Sequence, residues 1–176
     1  IMFPYCEPPH AGRPACVTGF AGRVLTEDIK APKWLNSTNV SGVWSKSSAL
    51  LGLYQARSRM TDCKRATITE GIYDSLAFDR IDKPAGALVS AALTLQHCAV
   101  IVDVLGARQL TIAFDGDETG RREAISAATT ALRFGFAYAD VTLIDPDDGL
   151  DPDDLAPADL NDRWHAPLSI VEFALM

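Results

Sequence analysis

From Arg65 onward, short apolar runs alternate with longer stretches in which apolar positions recur every third or fourth residue. Ala66–Thr69, Ala87–Ser90, Gln109–Phe114 and Val141–Ile144 read as strands. Tyr73–Ile81, 94–105 and 119–134 read as helices. Leu76, Ala77 and Ile81 are expected inward on the first of these, and Ile125, Ala128 and Leu132 share one face of the last. An acidic turn follows the fourth strand, and a capped helical segment starts near Pro152. Strands that alternate with helices over short links predict an α/β fold, an open parallel sheet with helices on both faces. Residues 1–48 follow another pattern. They are rich in Pro, Gly, Asn and Ser, with brief apolar runs at Ala15–Phe20 and Arg23–Leu25, which suits a small β-rich unit of hairpins and loops. The stretch 49–59 (ALLGLYQARSR) reads as a helix leading out of it. The division expected is 1–64 for the small unit and 65–176 for the α/β domain.

Composition confirms a globular chain. Its 176 residues are 48% hydrophobic and 22% charged, which excludes a disordered acidic tail or a fibrous protein. The most apolar stretch, 87–105, is interrupted by Gln96, His97 and Asp103, so neither a signal peptide nor a membrane span is expected. The chain opens on Ile1, which reads as a segment of a longer polypeptide. Four cysteines at 6, 16, 63 and 98 form no CxxC, and free thiols are expected. Cys6, His10 and Cys16 supply three donors at irregular spacing where structural zinc wants four, so no zinc is expected.

Charge is unevenly spread. The formal net charge of −7 argues against a general nucleic-acid binder. Residues 1–68, however, carry nine Lys/Arg against four acids, and residues 69–176 carry seven against nineteen. A basic lobe joined to an acidic one suits a phosphate-rich partner on one side and divalent cations on the other. Two merely solvated faces would give the same asymmetry.

The acids sit at telling positions. Glu70 follows the first predicted strand, Asp115 and Asp117 the third, and Asp151 and Asp153 the fourth. Carboxyl ends of parallel strands share one sheet edge, so the three groups can meet in space. The Asp-Gly-Asp alternation would point both carboxylates to one side, with Gly116 sparing the room a Cβ would take. Clustered carboxylates on a hard-oxygen site suit Mg²⁺ or Mn²⁺, which also bind phosphates. Asp and Gly are also simply turn formers. No Ser/His/Asp or Cys/His arrangement and no GxxxxGK[ST] loop is present.

These motifs resemble a known family. Glu70-Gly71-Ile72-Tyr73-Asp74, FDGDETGR (114–121) and GLDPDDL (149–155) are similar to the Toprim domain of primases and topoisomerases, and most of all to bacterial DnaG-type primases. MFPYCEPPHAGRPACVTGFAGRVL (2–25), PKWLNS (32–37), Lys46 and GLYQAR (52–57) resemble the same primases in the same order, as does APLSIVEFAL (166–175). The resemblance implies synthesis of RNA primers from ribonucleoside triphosphates on a single-stranded DNA template. It implies two or more Mg²⁺ or Mn²⁺ ions at Asp115, Asp117, Asp151 and Asp153. Glu70 would be the catalytic acid/base or a further ligand, with Asp115 and Asp117 catalytic through the metals, and Asp74 in support. Arg23, Lys33, Asn36 and Lys46 would hold nucleotide or template, and Arg121 would contact a phosphate. It also implies a cytoplasmic protein of the replisome, meeting a replicative helicase through a region outside this chain.

The chain departs from the family pattern at small insertions near Asp28–Ala31 and Asn39–Gly42, and at Ser90-Ala91 in place of Gly-Thr. Trp34 stands at an aromatic position of the pattern and is expected to pack, as are Tyr5, Tyr54, Tyr73 and Tyr138; Trp44 and Trp164 stay open between packing and base stacking. A metal-dependent Toprim nuclease or topoisomerase-like enzyme, and a non-catalytic nucleic-acid-binding module, remain the alternatives.

Overall fold

The computed structural model describes residues 1–7, 15–25, 32–42, 44–88, 90 and 92–176. The insertion expected near Asp28–Ala31, together with His10 and Ala91, lies outside the described residues.

The small unit is a three-stranded antiparallel sheet of β1 (Met2–Glu7), β2 (Cys16–Arg23) and β3 (Trp34–Asn36). The chain then enters the second sheet earlier than the pattern suggests. Leu50–Leu51 form a two-residue strand, β4, and the helix α1 starts only at Leu53 and runs to Cys63. Expecting helix from residue 49 misses this because two residues carry no period. From there the alternation holds: β5 (Arg65–Thr69), α2 (Ile72–Arg80), β6 (Ala85–Leu88), α3 (Leu95–Ala99) with a π-helical continuation over Val100–Val104, β7 (Gln109–Ala113), α4 (Glu118–Phe134) and β8 (Val141–Ile144). The second strand thus lies two residues before its expected place. A short 3₁₀ turn at Pro152–Asp154, α5 (Pro157–His165), β9 (Leu168–Ser169) and α6 (Ile170–Ala174) complete the chain.

The second sheet has the order β4-β6-β5-β7-β8-β9. Its four inner strands are parallel, while β4 and β9 pair antiparallel at the two edges. Nearly continuous burial of β5, β6, β7 and β8 is what a parallel sheet covered on both faces requires. On one face Ala66, Ile68, Leu110, Ile112 and Leu143 pack against Met60 of α1, Cys98 of α3, the Ala124–Ala131 stripe of α4 and Phe173 of α6. On the other, Ala85, Ala113 and Ile144 pack against Ala77 and Phe78 of α2 and Leu160 and Trp164 of α5. Threonines Thr67 and Thr111 on that face are fully buried and find partners: the Trp164 indole donates to Thr67 Oγ1 at 3.1 Å, and Arg65 donates to Thr111 Oγ1 at 2.7 Å. Arg65 and Lys83 also lie over the Trp164 ring, at 4.3 and 4.4 Å, so Trp164 is a core residue.

Two helix faces differ from expectation. Leu76 is exposed at 44%, because the face of α2 turned inward is the one that carries Ile72, Ser75 and Phe78. On α4 the buried stripe is Ala124, Ala127, Ala128 and Ala131, with Ile125 and Leu132 flanking it, since small side chains let the helix approach the sheet. A third cluster, Tyr5, Ala21, Trp44, Leu51, Ile72 and Ala87, joins the small sheet to the large one. Trp44 is buried there against Tyr5, which makes it a packing residue too.

Candidate active site

The parallel pairing of β5, β7 and β8 brings their carboxyl ends to one edge. Glu70, Asp115 and the loop from Asp145 emerge there side by side. The Glu70 carboxylate accepts a long hydrogen bond from the Asp115 backbone N–H at 3.4 Å. Burial raises its pKa, and Asp117, Glu123 and Asp151 push in the same direction. Asp74, one turn into α2, accepts from the Gly71 N–H at 2.9 Å. It is 5% exposed, and burial, with repulsion from Asp153 and Asp151, pushes its pKa up to about 7. Asp115 is likewise pushed up to about 7 by burial and then by Glu70, Asp74, Asp151 and Asp117.

Asp117 works differently. Its Oδ1 accepts from the Gly120 N–H at 2.6 Å and caps α4, so one carboxylate oxygen belongs to the helix. The glycines in this turn serve approach of backbone rather than room for carboxylates. A methyl on Gly116 would overlap the Asp147 carbonyl, and its Cβ would sit 3.0 Å from the Leu150 carbonyl oxygen. A Cβ on Gly120 would overlap the Asp115 carbonyl and come 3.0 Å from Glu70 Oε1.

Asp151, Asp153 and Asp154 each offer a carboxylate oxygen, all within 4.8 Å of one another. Burial raises the Asp151 pKa, and Asp154 and Asp153 add to it. Asp154 is a residue the sequence reading passed over. It is the third acid of DPDD, and it accepts from the Asp151 N–H at 3.0 Å, closing the turn that carries the other two.

Glu70, Asp74, Asp115, Asp151 and Asp153 line one cavity of about 560 Å³, and its opposite wall comes from the small sheet. Arg23, Lys33, Trp34 and Asn36 lie there. The Arg23 guanidinium is held over both Trp34, at 5.2 Å, and Tyr73, at 5.0 Å. Trp34 and Tyr73, expected only to pack, therefore also line the cavity and orient its cation. Tyr5 donates to Asn36 Oδ1 at 2.8 Å, which leaves the Asn36 amide N–H₂ as the group free to donate. Asp117, Lys46 and Arg121 do not line this cavity. Lys46 is exposed on the loop before β4, and Arg121 turns to Asp145 and Asp148 at 3.1 and 2.6 Å.

This donor set fits a hard divalent cation. Asp115 Oδ1 is buried and has no hydrogen-bond partner among the described residues, and the surrounding carboxyls raise one another's pKa. Bare carboxylates in such proximity want a positive charge between them.

The Toprim domain model matches residues 65–164, the stretch that holds every one of these acids. The chain belongs to the Toprim family. Among relatives of this Toprim chain, the DNA primase of Neisseria meningitidis serogroup A is 35% identical over 133 residues, covering 75% of this chain and 21% of that protein. The DNA primase of Helicobacter pylori strain J99 is 31% identical over 180 residues, covering 99% of this chain and 30% of that protein. Solved structures include a DnaG catalytic core, with TM-score 0.79 at 29% identity over 98% of this chain and 54% of that one. A DnaG primase catalytic domain bound to ssDNA superposes with TM-score 0.79 at 28% identity, covering 99% of this chain and 53% of that one. The Toprim chain thus spans under a third of these curated relatives and about half of the solved cores. The resemblance to DnaG-type primases read from its motifs holds, and so does the α/β fold with a small separate antiparallel sheet. Among the described residues no helix is long and apolar enough to cross a membrane.

Proposed function

We propose that this chain forms the nucleotidyl-transfer centre of a DNA primase, joining ribonucleoside triphosphates into a primer on single-stranded DNA. One observation carries the reading: a single cavity has an acidic floor of Glu70, Asp74, Asp115, Asp151 and Asp153 and a cationic, aromatic wall of Arg23, Lys33, Trp34 and Tyr73. A triphosphate needs both. In nucleotidyl transfer a ribose hydroxyl displaces pyrophosphate from the α-phosphorus of a nucleoside triphosphate. The demand on the protein is alignment and charge neutralisation rather than a covalent nucleophile.

Arg23 and Lys33 would hold phosphate oxygens, with the Arg23 plane kept in place by its two aromatic neighbours. Asn36 would donate its amide N–H₂ to sugar or phosphate. Asp115, Asp151 and Asp153, with the free oxygen of Asp117, would hold two or more Mg²⁺ or Mn²⁺ ions. When bound, such ions neutralise charge developing on the phosphate oxygens. Glu70 would take the proton of the attacking hydroxyl or add a ligand, and Asp74 would keep the end of α2 and the acidic floor together through Gly71. Lys46, outside the cavity, would meet the template strand. The chain would act in the cytoplasm, beside a replicative helicase reached through a region outside it.

The test is binding of a fluorescent ribonucleoside triphosphate with and without Mn²⁺, with Asp115→Asn as control, followed by ribonucleotide incorporation on single-stranded DNA. Metal-dependent binding lost in the variant supports the proposal. Metal uptake without nucleotide binding, together with phosphodiester cleavage, would replace it with the nuclease reading. Nucleic-acid binding indifferent to metal would replace it with a non-catalytic module.

A further inference from the structure

Six aspartates fall between positions 145 and 154, and their spacing gives no reason to treat them differently. The fold divides them into two sets. Asp145, Asp147 and Asp148 are paired with arginines. Asp151, Asp153 and Asp154 have no cationic side chain within 4.0 Å among the described residues. The division is made by Arg121 of α4 and Arg163 of α5.

Asp145 is the centre of the paired set. It is 3% exposed, and its carboxylate accepts from Arg121 Nη2 at 3.1 and 3.3 Å and from the Asp147 N–H at 3.0 Å. The other terminal nitrogen of Arg121 donates to Asp148 at 2.6 Å. Arg163 donates to the Asp147 carboxylate and to the Asp145 carbonyl. The far end of the loop is fastened as well, because the Gly116 N–H donates to the Leu150 carbonyl at 2.8 Å and the Gly149 N–H to the Gly116 carbonyl at 3.3 Å. The loop 145–150 therefore lies directly on the Asp115-Gly116-Asp117 turn and delivers the chain to Asp151.

We propose that the Arg121–Asp145 pair is a positioning device, which locks this loop on the Asp-Gly-Asp turn and so sets the separation between Asp115 and the Asp151–Asp154 donors of a divalent cation. The inference rests on the metal centre proposed above. It assigns Arg121 and Asp145 to holding the donors apart at a fixed distance, without touching cation or nucleotide. Partners that orient metal ligands are typically worth about 10- to 100-fold in metal affinity.

The sign of the effect separates positioning from a simple field. Arg121→Gln removes a positive charge near a cation site, so electrostatics alone would tighten cation binding. Positioning demands the opposite. Mn²⁺ titrations followed by the electron paramagnetic resonance of free Mn²⁺, with circular dichroism to confirm folding, are expected to show about tenfold weaker binding or worse in Arg121→Gln and in Asp145→Asn. Arg121→Lys keeps the charge but cannot bridge Asp145 and Asp148 at once, so it is expected to lose affinity too; it decides the matter where either other variant fails to fold. Unchanged or tighter Mn²⁺ binding in folded Arg121→Gln or Arg121→Lys overturns the inference while leaving the metal centre intact, provided Asp115→Asn abolishes binding. Wild-type protein whose Mn²⁺ binding is absent, or indifferent to Asp115→Asn, overturns the metal centre and the inference together.

Discussion

Asp115→Asn should make the metal-free protein more stable, although it removes a residue of the site. The native carboxyl titrates at about 7 instead of 3.8, because it is partly buried and faces Glu70, Asp74, Asp151 and Asp117. A displacement of that size is equivalent to about 4 kcal/mol against the charged form. Solvent enters the open side of the cavity and reduces this to about 2 kcal/mol. The direction follows from proton counting. Between pH 4 and 7 the folded chain holds a proton at Asp115 that the unfolded chain has released, so stability falls as pH rises through that window and stays lower above it. The asparagine variant lacks this contribution. Thermal or urea unfolding in EDTA should therefore show equal stability near pH 4 and a gain of about 2 kcal/mol at pH 8, which for a chain of this size is about 4–8 °C in Tm. Mn²⁺ should invert the order, since it binds the folded wild type and stabilises it by mass action. Equal stability at pH 8 without metal would refute the repulsion argument. Equal stabilisation of both proteins by Mn²⁺ would remove Asp115 from the metal centre.

Asp117 should separate into two functions: Asp117→Asn keeps the α4 cap and loses only metal affinity, while Asp117→Ala also loses about 1 kcal/mol of stability, both read from denaturation and Mn²⁺ titration. Gly116→Ala should cost about 3 kcal/mol, because its methyl would drive the Asp147 carbonyl and the loop away; a chemical denaturation curve matching wild type would contradict the close approach. Arg23→Ala should weaken single-stranded DNA or nucleotide binding and flatten the log–log salt dependence by about one, measured by fluorescence anisotropy over a salt series. Leu76→Ser should change stability by less than about 0.5 kcal/mol, where Phe78→Ala, two positions on, should cost about 3–5 kcal/mol.

The inner sheet was legible because each of its strands is a nearly continuous buried run and most are followed by a helical period, as at Gln109–Ala113 before Glu118–Phe134. β4 and β9 were not, since Leu50–Leu51 and Leu168–Ser169 are too short to show a period and exist only by pairing with β6 and β8. Glu70, Asp115, Asp151 and Asp153 could be found from strand ends because the carboxyl edge of a parallel sheet gathers whatever follows its strands, whereas Asp74, inside α2, came only with the family motif. The roles of Tyr73, Asp145 and Arg163 could not. They depend on which residues of distant segments face them: Arg23 for Tyr73, Arg121 for Asp145, and Asp147 for Arg163. Gly116 was noticed for the correct reason of space but the wrong neighbour, since the backbone that needs the room arrives from positions 147 and 150.

The pairing of Leu50–Leu51 with β6 bears on any attempt to isolate the Toprim unit. A fragment cut at Arg65, where the family match begins, would lose β4 and α1 together. It would bare the backbone N–H and C=O groups along one side of β6, next to the apolar surface that Met60 and Ala56 had covered. An open strand edge beside exposed apolar surface is a template for another chain, so such a fragment should self-associate through β6 and precipitate where the longer chain stays dispersed. The first residue of a well-behaved truncation is therefore set by an edge strand of two leucines, fifteen positions before the boundary that sequence similarity draws.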